Sequence, residues 1–249
     1  MPSSSALKTL AKGSVKVTLD RQMALRFLGY TGQSVEGDLL ARFEALAKRC
    51  EQTNEGRYVW LVDQIDLDRS VFEGSGAQLV LRHCGLVLPG KECAKHVRGA
   101  SKVVLLACTL GQRCEQEFRQ LKAINTLDYI MYDSCASALT EAAGNAVHDI
   151  LSEAARAEGL YAHARFSPGY GDLPLSVQPA FLATLNAQRT LGLTTTDTNL
   201  LVPTKSITAV VGLFKDEEVD DGSSPCDICP AFDYCSFRER GITCHGKRL

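Results

Sequence analysis

Apolar residues recur every three or four positions over 38–50, where Leu39, Leu40, Phe43, Leu46 and Ala47 share a face, and this spacing predicts an amphipathic helix. Just before it, Asp20 followed by Met23, Leu25, Leu28 and then Gly29 predicts a shorter capped helix, entered from a short strand over 15–19. Alternation takes over at 57–67. With Tyr58, Trp60 and Val62 on one side, a strand with one buried face is expected, continued by 71–73 and ended at Gly74-Ser75-Gly76. Pro89 opens a short helix over 90–97. The unbroken apolar run 103–107 then reads as a strand buried on both sides.

Thr109-Leu110-Gly111 turns the chain into a helix over 112–122 and a longer one over 126–157. The longer helix carries Ala136, Ala138, Ala142, Ala143, Gly144 and Ala146, small residues that let another backbone pack close. Pro179 fits the first turn of a helix through Phe181, Leu182 and Leu185, with Gly192 as its left-handed stop, and 207–214 reads as a strand. The acidic run 216–222 is a solvated linker. It divides a main domain, 1–215, from a short Cys-rich tail, 226–249, with 216–225 between them. Strands and helices do not alternate as regular βαβ units, so the expected class is α+β, or mixed α/β, in one domain. A largely antiparallel sheet carries the long helix on one face. There is no internal repeat.

Composition narrows the choices. A chain of 249 residues, 45% apolar and 22% charged, can bury a sizeable core. A net charge of -2 and a pI near 6.2 provide no basic footprint for nucleic acid or anionic membrane. No run approaches the roughly 18 apolar residues of a membrane span, and 1–15 lacks the apolar segment of an export signal. A soluble, cytoplasmic protein is expected. In that compartment ten cysteines argue against a disulfide framework, and Cys108, inside an apolar run, reads as a small buried hydrophobe.

The stretch Arg165-Phe166-Ser167-Pro168-Gly169-Tyr170-Gly171-Asp172 sets a permanent cation beside two glycines, a proline and an aromatic ring. Arginine offers a planar fork to a carboxylate. Glycines let main-chain groups approach a ligand that a Cβ would push away. Such a loop suits a small zwitterion; the plainer alternative is a surface turn with a solvated arginine.

Taken with Glu141, Thr196-Asp197-Thr198 and Pro203-Thr204-Lys205-Ser206, this loop resembles the activation domain of vitamin B12-dependent methionine synthase. The order and spacing carry the likeness: an Arg-x-x-Pro-Gly-Tyr loop, a helix, a Leu-Thr-Glu-Ser-like segment, then a Pro-x-x-Ser turn entering a strand. Clear resemblance spans about 165–214, and a fainter one about 103–149. It implies a curved, C-shaped domain that binds S-adenosylmethionine and presents it to a cobalamin in the inactive Co(II) state, so that one-electron reduction is trapped by methylation. On that reading Arg165, Pro168, Gly169, Tyr170, Gly171 and Glu141 bind the ligand: Arg165 meets its carboxylate, Glu141 its ammonium and sulfonium, and Tyr170 lies against it or faces the corrin. No catalytic side chain is implied.

The departures from the family also matter. None of His83, His96, His148, His163 or His245 sits in the family's cobalamin-binding Asp-x-His-x-x-Gly pattern, so the chain is expected to act in trans. Its partner would be a cobalamin-binding methionine synthase or another corrinoid protein, with an electron donor such as flavodoxin or ferredoxin. An aromatic that precedes the Pro-x-x-Ser turn in the family is Val202 here, and beyond Phe214 the family's segment is replaced by the acidic linker.

Cys226-x-x-Cys229-x5-Cys235-x8-Cys244, followed by His245, crowds soft ligands into the tail. That spacing suits one tetrahedral Zn or an iron–sulfur cluster. A reduced, metal-free tail and a redox disulfide stand beside these. Two rival functions follow: an electron-transfer protein whose iron–sulfur site reduces a corrinoid partner, and a zinc-stabilised interaction module without catalysis.

Overall fold

The computed structural model describes residues 7–30, 33, 36–217, 232–235 and 238–241. The chain enters through β1 (Leu10–Val15), α1 (Arg21–Phe27), α2 (Gly37–Thr53) and β2 (Gly56–Asp63). A small hairpin, β3 (Gln78–Val80) and β4 (Val87–Pro89), leads to α3 (Lys91–His96), β5 (Lys102–Thr109), α4 (Gln112–Ile124) and the long α5 (Thr126–Arg156). Then come β6 (Tyr161–Phe166), α6 (Gln178–Thr184), α7 (Ala187–Leu191), the hairpin β7 (Thr194–Thr195) and β8 (Leu201–Val202), and β9 (Ser206–Phe214). Five strands pair in the order β1-β2-β5-β9-β6, every pair antiparallel. This is the mixed α+β class with an antiparallel sheet that the sequence predicts.

Both faces of the sheet are covered, which explains its long apolar runs. On β5, Val104, Leu106 and Cys108 pack with α2, α4 and α5, while Val103, Leu105 and Ala107 pack with β3, β4, α3, α6 and α7. β2 likewise buries Tyr58 and Trp60 on one side and Val59 on the other, so the single buried face expected there is corrected to two. The helix layer sits close because its contact residues are small. A Cβ built on Gly56 would come within 2.5 Å of the Ala143 Cβ on α5. Between α2 and α5, Asn54 Nδ2 donates to the Tyr132 hydroxyl at 2.9 Å, while Asn54 Oδ1 has no hydrogen-bond partner among the described residues.

Several boundaries move. The first strand is 10–15, not 15–19, because pairing with β2 sets its register from Leu10↔Leu61 to Val15↔Gly56. Asp20 does cap α1, accepting from the Gln22 and Met23 amides. Val71 bridges Gln78, so 71–73 belongs beside the small hairpin rather than the main sheet. Pro89 ends β4 instead of opening α3. Asn186, at φ 50, breaks the expected 179–192 helix into α6 and α7, and Gly192, at φ 70, stops the second.

At the far end of β2, Asp63 locks the turn that follows β3. Its carboxylate accepts from the amides of Gln64 at 2.7 Å, His83 at 3.1 Å and Cys84 at 2.9 Å, and meets His83 Nδ1 at 2.6 Å. Burial alone would raise the pKa of this carboxyl, but these donors outweigh it and hold the value at about 2.

Candidate functional site

The site forms where the carboxyl end of β6 meets the middle of α5. Phe166 packs into the core shared with α3, α6 and α7, so its neighbour Arg165 takes the opposite face of the sheet, toward α5. A register shift between Ala162 and Arg165 interrupts the pairing with β9, which resumes at Arg165 and Phe166 opposite Val211 and Val210. There the guanidinium Nη2 stands 3.6 Å from Glu141 Oε2 and donates to Asn145 Oδ1 at 2.9 Å. Glu141 and Asn145 are one helical turn apart and share a face of α5. Gly144 leaves room beside them: a Cβ there would lie 3.1 Å from Arg165 Nη1 and 2.8 Å from Ile207 Cδ1.

Arg165 is largely buried, its side chain 18% exposed, and its Nη1 has no hydrogen-bond partner among the described residues. A buried donor without a partner costs about 1–3 kcal/mol.

A hollow of about 420 Å³ adjoins this pair. Its walls bring together segments that are far apart in the chain: Glu141 from α5, Ser167, Pro168 and Tyr170 from the loop after β6, Asn199 to Leu201 from the β7–β8 hairpin, and Thr204 and Ser206 from the following turn. Gln178 and Thr208 add a buried polar pair, Nε2 to Oγ1 at 2.8 Å. Tyr170 and Leu200 are about half exposed, at 48% and 54%.

The surrounding loops are tied down. Asp172 accepts from the Lys91 and Glu92 amides at 2.6 and 3.0 Å, fixing the Arg165 loop to the start of α3. Glu115 of α4 accepts from both the amide and the hydroxyl of Thr204. Lys205 reaches Ser137 Oγ at 2.7 Å and Asp133 at 3.0 Å on α5. Thr196 and Thr198 share a hydroxyl contact of 2.9 Å that tightens the hairpin turn. Cys108 lies under the site; burial pushes its thiol up to about 12, so it is an inert core residue.

Of the residues singled out from sequence, Glu141, Pro168 and Tyr170 line the hollow, and Arg165 adjoins it through Glu141. Arg165 and Glu141 sit within ion-pair distance of each other rather than a ligand's length apart. Gly169 and Gly171 serve the shape of the loop. Both have positive φ, 96° and 52°, the Gly169 amide donates to Leu173 O, and the space a Cβ would need at Gly171 is held by Phe166 and Glu92. Sequence reading gave Gly144 only as one of the small residues of the long helix, and missed Asn145 and the Gln178–Thr208 pair. An asparagine one turn after Glu141 in an alanine-rich helix was the available signal. Cys235 is described and carries a free, half-buried thiol, whereas Cys226, Cys229 and Cys244 lie outside the described residues. Among the described residues no helix is long and apolar enough to cross a membrane.

No protein-family profile matches the chain, and no curated protein matches it in sequence. Solved structures do. A crystal structure of the MetH reactivation domain bound to AdoHcy aligns with 96% of this chain and 89% of its own, at 15% sequence identity and a TM-score of 0.57. The chain therefore has the fold of the methionine synthase reactivation domain, in agreement with the resemblance read from the Arg165 loop.

Proposed function

We propose that the chain binds S-adenosylmethionine in the hollow beside Arg165 and supports reductive remethylation of a cobalamin carried in trans by methionine synthase or another corrinoid protein. The observation that carries this reading is the pairing of a buried cation and a carboxylate, Arg165 and Glu141, at the edge of that hollow. The related fold supports it, since the matched MetH domain is described as bound to AdoHcy. The Arg165 guanidinium provides the cation for the ligand carboxylate, and Glu141 attracts the ammonium and the sulfonium. The buried Gln178–Thr208 pair offers hydroxyl and amide groups to the polar part of the ligand.

Tyr170 and Leu200, half exposed beside the hollow, provide the apolar surface on which the corrin of the partner would rest. The partner's Co(II), given one electron by a flavodoxin- or ferredoxin-type donor, becomes the Co(I) nucleophile. It takes the sulfonium methyl, and S-adenosylhomocysteine leaves as a neutral thioether. The chain's own part is to hold the sulfonium against that surface and keep water from it.

Anaerobic mixing with S-adenosylmethionine, a reductant and a Co(II) corrinoid protein tests this reading. Conversion of the visible spectrum to that of a methylated corrinoid, dependent on the chain, is the expected result. A spectrum that changes equally without the chain would overturn it.

A further inference from the structure

We infer that Asn145 is a positioning residue for Arg165, an inference that rests on the reading of the hollow as a site for S-adenosylmethionine. The guanidinium has two contacts on α5 with different consequences. Glu141, at 3.6 Å, supplies opposite charge; Asn145, at 2.9 Å, supplies a neutral acceptor. A neutral acceptor orients the fork without offsetting its charge beyond what Glu141 already does. Gly144 completes the seat, because a Cβ there would press on Nη1 from 3.1 Å.

This geometry leaves one donor, Nη1, without a partner while Nη2 is held. A free arginine side chain would sample many rotamers and lose its fixed place beside Glu141. Asn145 thus acts on the ligand only through Arg165, and only through the ligand's carboxylate. That restriction separates it from a residue that merely supports the fold.

Calorimetric titration with S-adenosylmethionine and with its decarboxylated analogue tests the inference on wild-type protein, Asn145→Ala and Asn145→Asp, each checked for an unchanged melting temperature. Asn145→Ala should weaken S-adenosylmethionine by about tenfold and leave the decarboxylated analogue within about twofold of wild type. Asn145→Asp keeps the acceptor but adds a competing negative charge, so it should weaken S-adenosylmethionine at least as much and fail to weaken the cationic analogue. If Asn145→Ala binds S-adenosylmethionine like wild type, or loses both ligands equally, the inference falls while the reading of the hollow stands. If wild-type protein binds neither ligand, the reading falls and takes the inference with it.

Discussion

Arg165 and Glu141, 24 residues apart in the chain, come within 3.6 Å because β6 turns the side chain that precedes its buried Phe166 toward the stretch of α5 where Gly144 leaves space. The pair is formed by packing of helix on sheet, and each component of that packing makes a measurable claim.

Gly144 sets two effects against each other. Replacing it by alanine in the interior of α5 favours the helix by roughly 1 kcal/mol, while the added methyl meets Ile207 Cδ1 at 2.8 Å and Arg165 Nη1 at 3.1 Å. Both neighbours are ends of flexible side chains and can yield. The expected outcome for Gly144→Ala is a melting temperature near that of wild type with ligand affinity reduced several-fold, read by thermal denaturation and titration. A large loss of stability with affinity preserved would contradict the role assigned to this position.

Gly56 behaves otherwise. Its Cβ would lie 2.5 Å from that of Ala143, where neither group can rotate away, so Gly56→Ala must push α5 off the sheet. Overpacking of this kind costs about 1–3 kcal/mol. Urea denaturation should show that loss, and restoring the space with Gly56→Ala/Ala143→Gly should recover part of it.

Asp63 predicts a pH dependence. Its folded pKa, about 2, lies below the ordinary 3.8, so its contribution is complete above 3.8 and is lost as pH falls through about 2. The difference corresponds to about 2 kcal/mol at neutral pH. Asp63→Asn should therefore be less stable than wild type by about that amount at pH 7, with the gap narrowing toward pH 2 in urea titrations. A gap that stays constant with pH would show that the carboxylate charge is not what holds the turn.

Much of the architecture was legible because it is local. The α2 periodicity, the alanine-rich stretch of α5, the Asp20 cap and the apolar runs of β5 and β9 are each visible within short segments of sequence. β6 was not: Tyr161-Ala162-His163-Ala164-Arg165-Phe166 alternates weakly, and only pairing with β9 makes it a strand. The break at Asn186 was hidden for a similar reason, since its left-handed backbone has no signature as plain as a glycine. In the site, motif order pointed to Arg165 and Glu141. Asn145, and the place of Gly144 beside Arg165, became visible only when the guanidinium lay across them, because which face of an alanine-rich helix meets a strand is decided by packing rather than by composition.

The central claim is that Arg165 grips the carboxylate of S-adenosylmethionine, and calorimetric titration of wild-type protein against Arg165→Ala tests it most directly. The account expects micromolar binding for wild type, and loss of a charge-assisted hydrogen bond of about 1.5–3 kcal/mol predicts affinity weaker by one to two decades in the variant, with an unchanged melting temperature. Equal affinity in the two proteins would contradict the account.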